Sequence, residues 1–240
     1  MKVIGYLSLG YPTLERSLEM ADAYFEAGCD AIEIGIPSPD PKYEKETIRT
    51  WMQQAYADES DYQIYFTAIA ALKARHREKE IYTMVYQEVL DMVTPPGYAR
   101  FCREAGVDCV ISINLTAASI AALDAAGVPR CSFGSLILDP QRLEACRQPG
   151  GLIYCQANFM PGQTPVPGYE TLGKVLAYMR ETGVTRPIYC GGGIKTPEDA
   201  RRVKEAGADG FFVGTAIISL ADQLEELKAE IARYCQAVAD

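Results

Sequence analysis

The sequence predicts an α/β fold, a (β/α)₈ TIM barrel in a single domain over residues 1–240, and three observations carry that expectation. One pattern recurs along the chain, as Glu26-Ala27-Gly28-Cys29-Asp30, Glu104-Ala105-Gly106-Val107-Asp108 and Glu205-Ala206-Gly207-Ala208-Asp209. Eight short β-rich runs alternate with helix-length segments. Glycine turns follow the last two of those runs. The length of 240 residues is close to the ~250 typical of one such barrel, long enough to bury a large core without disulfides or a structural metal.

The runs fall near residues 2–8, 31–35, 81–86, 109–113, 130–133, 152–156, 187–190 and 210–213. Helical periodicity marks 14–27, 61–77, 97–105, 139–147, 170–182, 197–206 and a closing segment near 220–236. In each repeat the glycine reads as a left-handed helix cap before a tight turn into a buried strand, with weaker copies at Ala126-Gly127-Val128 and Thr182-Gly183-Val184. Thr196-Pro197-Glu198 reads as a capped helix start with proline in first position. An open doubly wound sheet would give similar local signals. No G-x-G-x-x-G follows the first run, which removes the dinucleotide fingerprint and favours the closed barrel.

Hydrophobic residues make up 48% and charged residues 23%, an ordinary balance for a soluble domain. The net charge of −9, with lysines and arginines scattered, leaves no basic stripe for nucleic acid or an acidic membrane. No apolar run reaches the ~20 residues of a membrane span, and the N-terminus reads as a strand and turn rather than a signal peptide, so a cytoplasmic location is expected. The eight cysteines form no CxxC or Cys/His cluster, so they read as reduced thiols and no metal site is expected. Cys109, Cys155 and Cys190 fall in apolar runs as small buried hydrophobes. The single histidine, His76, falls in a charged helical segment and reads as solvated, which leaves acid–base chemistry to carboxylates, tyrosines, lysines or cysteines.

Run seven leads into Gly191-Gly192-Gly193-Ile194 and run eight into Gly214-Thr215-Ala216-Ile217. One glycine triplet is ordinarily only a tight turn. Two such turns after the last two strands of a barrel are where a phosphate is often held, by backbone N–H groups that a missing Cβ lets approach closely. Thr215 adds a hydroxyl, and Gly162 in the loop after run six is a further candidate donor. Glu33 stands inside the apolar run Ala31-Ile32-Glu33-Ile34-Gly35-Ile36. A carboxylate there is either bonded to a neighbouring strand or carries a raised pKa suited to proton transfer near neutrality.

These residues resemble the α subunit of tryptophan synthase. Gly5-Tyr6-Leu7-Ser8-Leu9-Gly10-Tyr11-Pro12 is similar to that family's first strand and turn, and the stretch from Glu26 to Pro41 is close to its E-A-G-A-D-x-[IL]-E-[LI]-G-I-P-[FY]-S-D-P. The likeness runs on through Met84-Val85-Tyr86 to the two glycine turns, over about residues 4–218. It implies a carbon–carbon lyase that cleaves indole-3-glycerol phosphate to indole and glyceraldehyde 3-phosphate without a cofactor, with Glu33 as general acid–base. Tyr154, Tyr86 and Asn114 would line the pocket, while Gly162, Gly192, Gly193, Gly214 and Thr215 would hold the phosphate. It further implies a pyridoxal-phosphate β subunit as partner, with Pro37 and Asp40 in the contact region.

Several positions depart from the family. Its L-A-D-G-P, whose aspartate accepts the indole N–H, is here Lys42-Tyr43-Glu44-Lys45-Glu46, so Glu44 is either a second catalytic carboxylate or a solvated acid at a helix start. Ser38 and Pro39 replace an aromatic and a serine, Gln87-Glu88 replace a short residue and asparagine, and Asn114-Leu115-Thr116 stand where D-[LV]-P is usual. The S-R-x-G-V-T-G lid sequence is missing after Tyr154. Two rival expectations follow from those departures. One is a paralogue with the same barrel and phosphate site acting on another small phosphorylated substrate; the other is a non-catalytic partner subunit.

Overall fold

The structure, a computed structural model, describes residues 1–239. Eight parallel strands make one sheet: β1 (Lys2–Ser8), β2 (Ala31–Gly35), β3 (Glu80–Met84), β4 (Cys109–Ile111), β5 (Ser132–Phe133), β6 (Ile153–Gln156), β7 (Ile188–Gly191) and β8 (Gly210–Val213). Their order is β4-β3-β2-β1-β8-β7-β6-β5. The ends of that order meet: Val110 N–H donates to the Pro129 carbonyl at 2.8 Å, and Cys131 N–H to the Val110 carbonyl at 2.9 Å. The sheet therefore closes into a barrel, and the open-sheet alternative is excluded.

All eight strands expected from the sequence are present. The run expected over 81–86 stops at Met84 because Tyr86 already begins the next helix. The strand expected over 109–113 likewise ends at Ile111. Around the barrel lie α1 (Leu14–Glu26), α2 (Glu46–Asp58), α3 (Tyr62–Arg75), α4 (Gln87–Val93), α5 (Pro95–Ala105), α6 (Ala117–Ala125) and α7 (Pro140–Arg147). They are followed by α8 (Leu172–Glu181), α9 (Pro197–Glu205), the single turn α10 (Thr215–Ile218) and α11 (Leu224–Ala237). Four of these, α2, α4, α6 and α10, go beyond the helices that periodicity marks.

Side-chain oxygens start most of the long helices, satisfying backbone N–H groups that have no partner in the first turn. Thr13, Asp61, Thr116, Asp139 and Thr171 each accept from such a group, and Thr196 and Asp199 form a reciprocal capping box on α9. The repeated glycines end helices as expected, with positive φ at Gly28, Gly106 and Gly207. The aspartate of each repeat has its own task. Asp30 accepts from Val3 N–H at 2.8 Å, Asp108 from Ile81 N–H at 2.7 Å and Asp209 from Ile188 N–H at 2.7 Å. Each incoming strand is thereby pinned to the start of its neighbour.

Cys109, Cys155 and Cys190 are buried in the barrel wall, and all eight cysteines are free thiols. His76 departs from expectation. It caps α3, its Nε2 lies 2.6 Å from Asp22, and its ring packs on Phe25 at 4.6 Å, so it clamps α3 to α1 instead of facing solvent freely. No helix among the described residues is long and apolar enough to cross a membrane.

Candidate active site

A cavity of about 570 Å³ opens at the C-terminal ends of the strands. Its lining brings together Glu33 from β2, Glu44 from the loop after β2, Tyr154 from β6, Gly192 and Gly193 after β7, and Gly214 and Thr215 after β8. Seven of the ten residues singled out in the sequence thus face one space. Barrels of this class place their sites at this end because the βα loops converge there.

Glu33 is 7% exposed, and its carboxyl has no hydrogen-bond partner among the described residues, so the alternative of a structural carboxylate tied to a neighbouring strand does not hold. Burial, with Glu44 close by as a second cause, pushes its pKa up to about 8. Glu44 is not a freely solvated acid. The Tyr86 hydroxyl donates to its Oε1 at 2.9 Å, and Arg49 donates to its backbone carbonyl at 3.1 Å, which fixes the loop. Burial raises the Glu44 pKa too, while the Tyr86 hydrogen bond and Lys45 oppose the rise. Two carboxyls in one low-dielectric site do not readily ionise together, so the pair is suited to holding one proton near neutrality. Of the two, Glu33 is the more strongly raised.

The opposite wall is backbone. Gly192 and Gly193 have φ of 75° and 97°, a region other residues rarely adopt, and their turn leaves main-chain groups exposed to the cavity. Gly191 makes room for Tyr154: a Cβ there would sit 2.1 Å from the tyrosine hydroxyl. The Tyr154 ring stacks on Phe212 at 4.7 Å, giving the cavity an aromatic floor.

Three singled-out residues lie elsewhere. Tyr86 is buried behind Glu44 and reaches the cavity only through it. Asn114 accepts from Gln87 N–H at 3.2 Å and donates to Glu88 at 3.4 Å, so it braces the loops after β3 and β4 rather than lining the space. Gly162 sits on an exposed loop with nothing within 4 Å of where a Cβ would be. Lys42 extends that bracing network, pairing with Asp40 at 3.0 Å and Glu88 at 3.4 Å.

The cavity also contains residues that the sequence did not flag. Tyr6 and Phe212 stand in apolar runs, where sequence alone cannot separate a barrel-lining side chain from a helix-facing one, and Ile48 is a lone apolar residue in the polar stretch Lys45-Glu46-Thr47-Ile48-Arg49-Thr50. Lys45, Tyr43 and Lys195 read as ordinary surface residues; only the closing of the loops brings them to the rim.

Fold and cavity together define the class, a (β/α)₈-barrel enzyme with its site at the C-terminal face. The chain belongs to the tryptophan synthase alpha chain family, whose family model matches residues 1–240, and this places it among the lyases. It is 26% identical to the tryptophan synthase alpha chain of Vibrio cholerae serotype O1 over 98% of this chain and 91% of that protein. Its identity to the Methanosarcina mazei alpha chain is 28% over 92% of this chain and 81% of the relative. Tryptophan synthase subunit alpha from Legionella pneumophila str. Paris superposes with a TM-score of 0.83 at 23% identity, covering 99% of this chain and 92% of that one. The aminoacrylate-bound tryptophan synthase of Mycobacterium tuberculosis does so with 0.82 at 24%, covering 99% and 93%. At these identities the two solved structures share the fold with this chain.

Proposed function

We propose that this chain cleaves indole-3-glycerol phosphate to indole and glyceraldehyde 3-phosphate. One observation supports the reading above the rest: a buried Glu33 and a tethered Glu44 line a single cavity with the glycine turns of β7 and β8. In the proposed reaction Glu33 gives its proton to the ring carbon that bears the side chain, while Glu44 accepts a hydrogen bond from the ring N–H and offsets the positive charge on nitrogen. The carbon–carbon bond then breaks with its electron pair returning to the ring. The adjacent side-chain hydroxyl loses its proton to the Glu33 carboxylate and becomes the aldehyde, so protons and electrons balance and Glu33 is restored. Orientation and proton transfer by placed side chains supply the catalysis.

Phosphate is assigned to the backbone of Gly192, Gly193 and Gly214 with the Thr215 hydroxyl, and Gly162 becomes a further donor if its loop closes. Tyr154 borders the ring, Tyr86 acts through Glu44, and Asn114 shapes the rim. A pyridoxal-phosphate β subunit is the partner we assign to this face, where Pro37 and Asp40 lie, and the cytoplasm is the compartment that suits such a reaction. Tyr43, Lys45 and Lys195 at the rim favour the second reading, a paralogue handling another small phosphorylated substrate.

Indole release from indole-3-glycerol phosphate, measured with and without a β subunit, tests the first reading. Wild type turns over, and E33Q lowers kcat by about 10²–10⁴-fold. Wild-type turnover no greater than that of E33Q would leave the second reading. Light scattering with a β subunit tests the partner, since two independent proteins would scatter as the sum of their parts.

A further inference from the structure

We infer that Lys45 and Lys195 are counter-charges for the phosphate assigned to the glycine turns, so that the site selects a doubly charged phosphate monoester over a singly charged anion of the same shape. The inference rests on the phosphate assignment above and holds for either substrate proposed there.

Lys45, from the loop after β2, and Lys195, from the loop after β7, both line the cavity, and no other lysine or arginine among the described residues does so. They are also set apart from the remaining lysines of the chain. Lys2, Lys42, Lys73, Lys174 and Lys228 pair with carboxylates, while Lys79 and Lys204 donate to backbone carbonyls. Among the described residues only the Lys45 and Lys195 ammonium groups have no such partner, and both stand at one cavity. Carboxylates lie close to each in sequence but are already engaged. Glu44 accepts from the Tyr86 hydroxyl and Glu46 pairs with Arg49 at 3.6 Å. Glu198 pairs with Arg201, and Asp199 accepts from Thr196 N–H at 2.9 Å and pairs with Arg202.

A phosphate monoester carries a charge of about −1.5 to −2 near neutrality. Here it would enter a chain of net charge −9 and share its cavity with two carboxyls. The glycine turns offer N–H groups, whose partial charges orient an anion but do not balance a dianion. Lys45 and Lys195 bring the full positive charge that the lining otherwise lacks, and the two together match a dianion. Lysine meets phosphate as a point charge on a flexible stem, which suits groups that reach in from a rim.

The test is calorimetric titration of the full-length chain, near neutral pH and at low salt, with glycerol 3-phosphate and with glycerol 3-sulfate. The sulfate ester keeps the tetrahedral head and carries a single negative charge. Wild type should bind the phosphate at least about tenfold more tightly than the sulfate, K45M and K195M should each weaken phosphate binding by about tenfold, and the double variant should bind the two esters alike. If wild type binds the phosphate no more tightly than the sulfate, if the single variants bind it as wild type does, or if the double variant keeps the preference, the lysines are solvated rim residues. Any of these results overturns the inference and leaves the glycine assignment intact. If wild type binds neither ester, the glycine assignment fails and this inference fails with it. The wild-type comparison stands independently of how well the variants fold.

Discussion

Glu33 ties the chemistry of the site to the stability of the barrel. Its carboxyl titrates near 4.5 when unfolded and at about 8 in the folded chain. Below pH 4.5 both states are protonated and Glu33 contributes no pH dependence. Between 4.5 and about 8 the folded state holds the extra proton, so stability falls as pH rises, and above 8 the loss is complete. E33Q has no such proton, and from pH 4 to pH 7 its stability should move by about 3 kcal/mol in its favour relative to wild type. Urea unfolding of both proteins at the two pH values measures this, and parallel pH profiles would refute the raised pKa. Glu33 was legible because a carboxylate in an apolar run has few ordinary explanations. Tyr6 was not, because a tyrosine in such a run has many, and only the assembled barrel brings it to the cavity.

Among the elements, the repeated Glu-Ala-Gly-x-Asp unit contributes more than a helix stop. The glycine turns the chain, and the aspartate then holds the first N–H of an adjacent strand, so one short motif sets both direction and register. Asp108 is also paired with Lys73 at 2.8 Å. D108A should leave Ile81 N–H without its acceptor and lower stability by about 1–3 kcal/mol; a urea midpoint unchanged from wild type would show that the motif acts through its glycine alone. The strands were legible as apolar runs bounded by these turns. α6 was harder to see, because Ala117-Ala118-Ser119-Ile120-Ala121-Ala122-Leu123-Asp124-Ala125 is too uniformly small and apolar to show one face. α4 is seven residues long and α10 only four, shorter than the window over which a helical period can be read. α2 follows a charged loop whose course is set by Arg49 of α2 itself and by Tyr86, which is remote in sequence from the Glu44 it holds.

Across the whole molecule the barrel is unevenly held. β1 pairs with β2 through five residues, whereas β5 is two residues long and meets β4 through a single bridge. Arg186 compensates there. Its buried guanidinium donates to the carbonyls of Gly151 at 2.8 Å, Gln148 at 3.0 Å and Leu152 at 3.0 Å, and to the Ser132 hydroxyl at 2.9 Å. R186M strands those acceptors and should cost about 3 kcal/mol. The residue lies at the strand starts, away from the cavity, so kcat should hold while the denaturation midpoint falls. A fall in kcat at full folding would place Arg186 in communication with the site.

The junction of β1 with β8 runs through the middle of the cavity. The paired carboxyls, Glu33 and Glu44, come from the first half of the chain; the glycine turns and Thr215 come from the second. In the proposed reading the anchor is thus written in the second stretch and the paired carboxyls in the first, while the ring is bordered from both, with Tyr154 and Phe212 on the second. Substitutions that retune the ring pocket can accumulate in the first stretch without disturbing the anchor in the second. That division gives a physical route by which one barrel keeps its grip while its lineage explores new substrates, and the departures at Tyr43, Glu44 and Lys45 lie where such drift is cheapest.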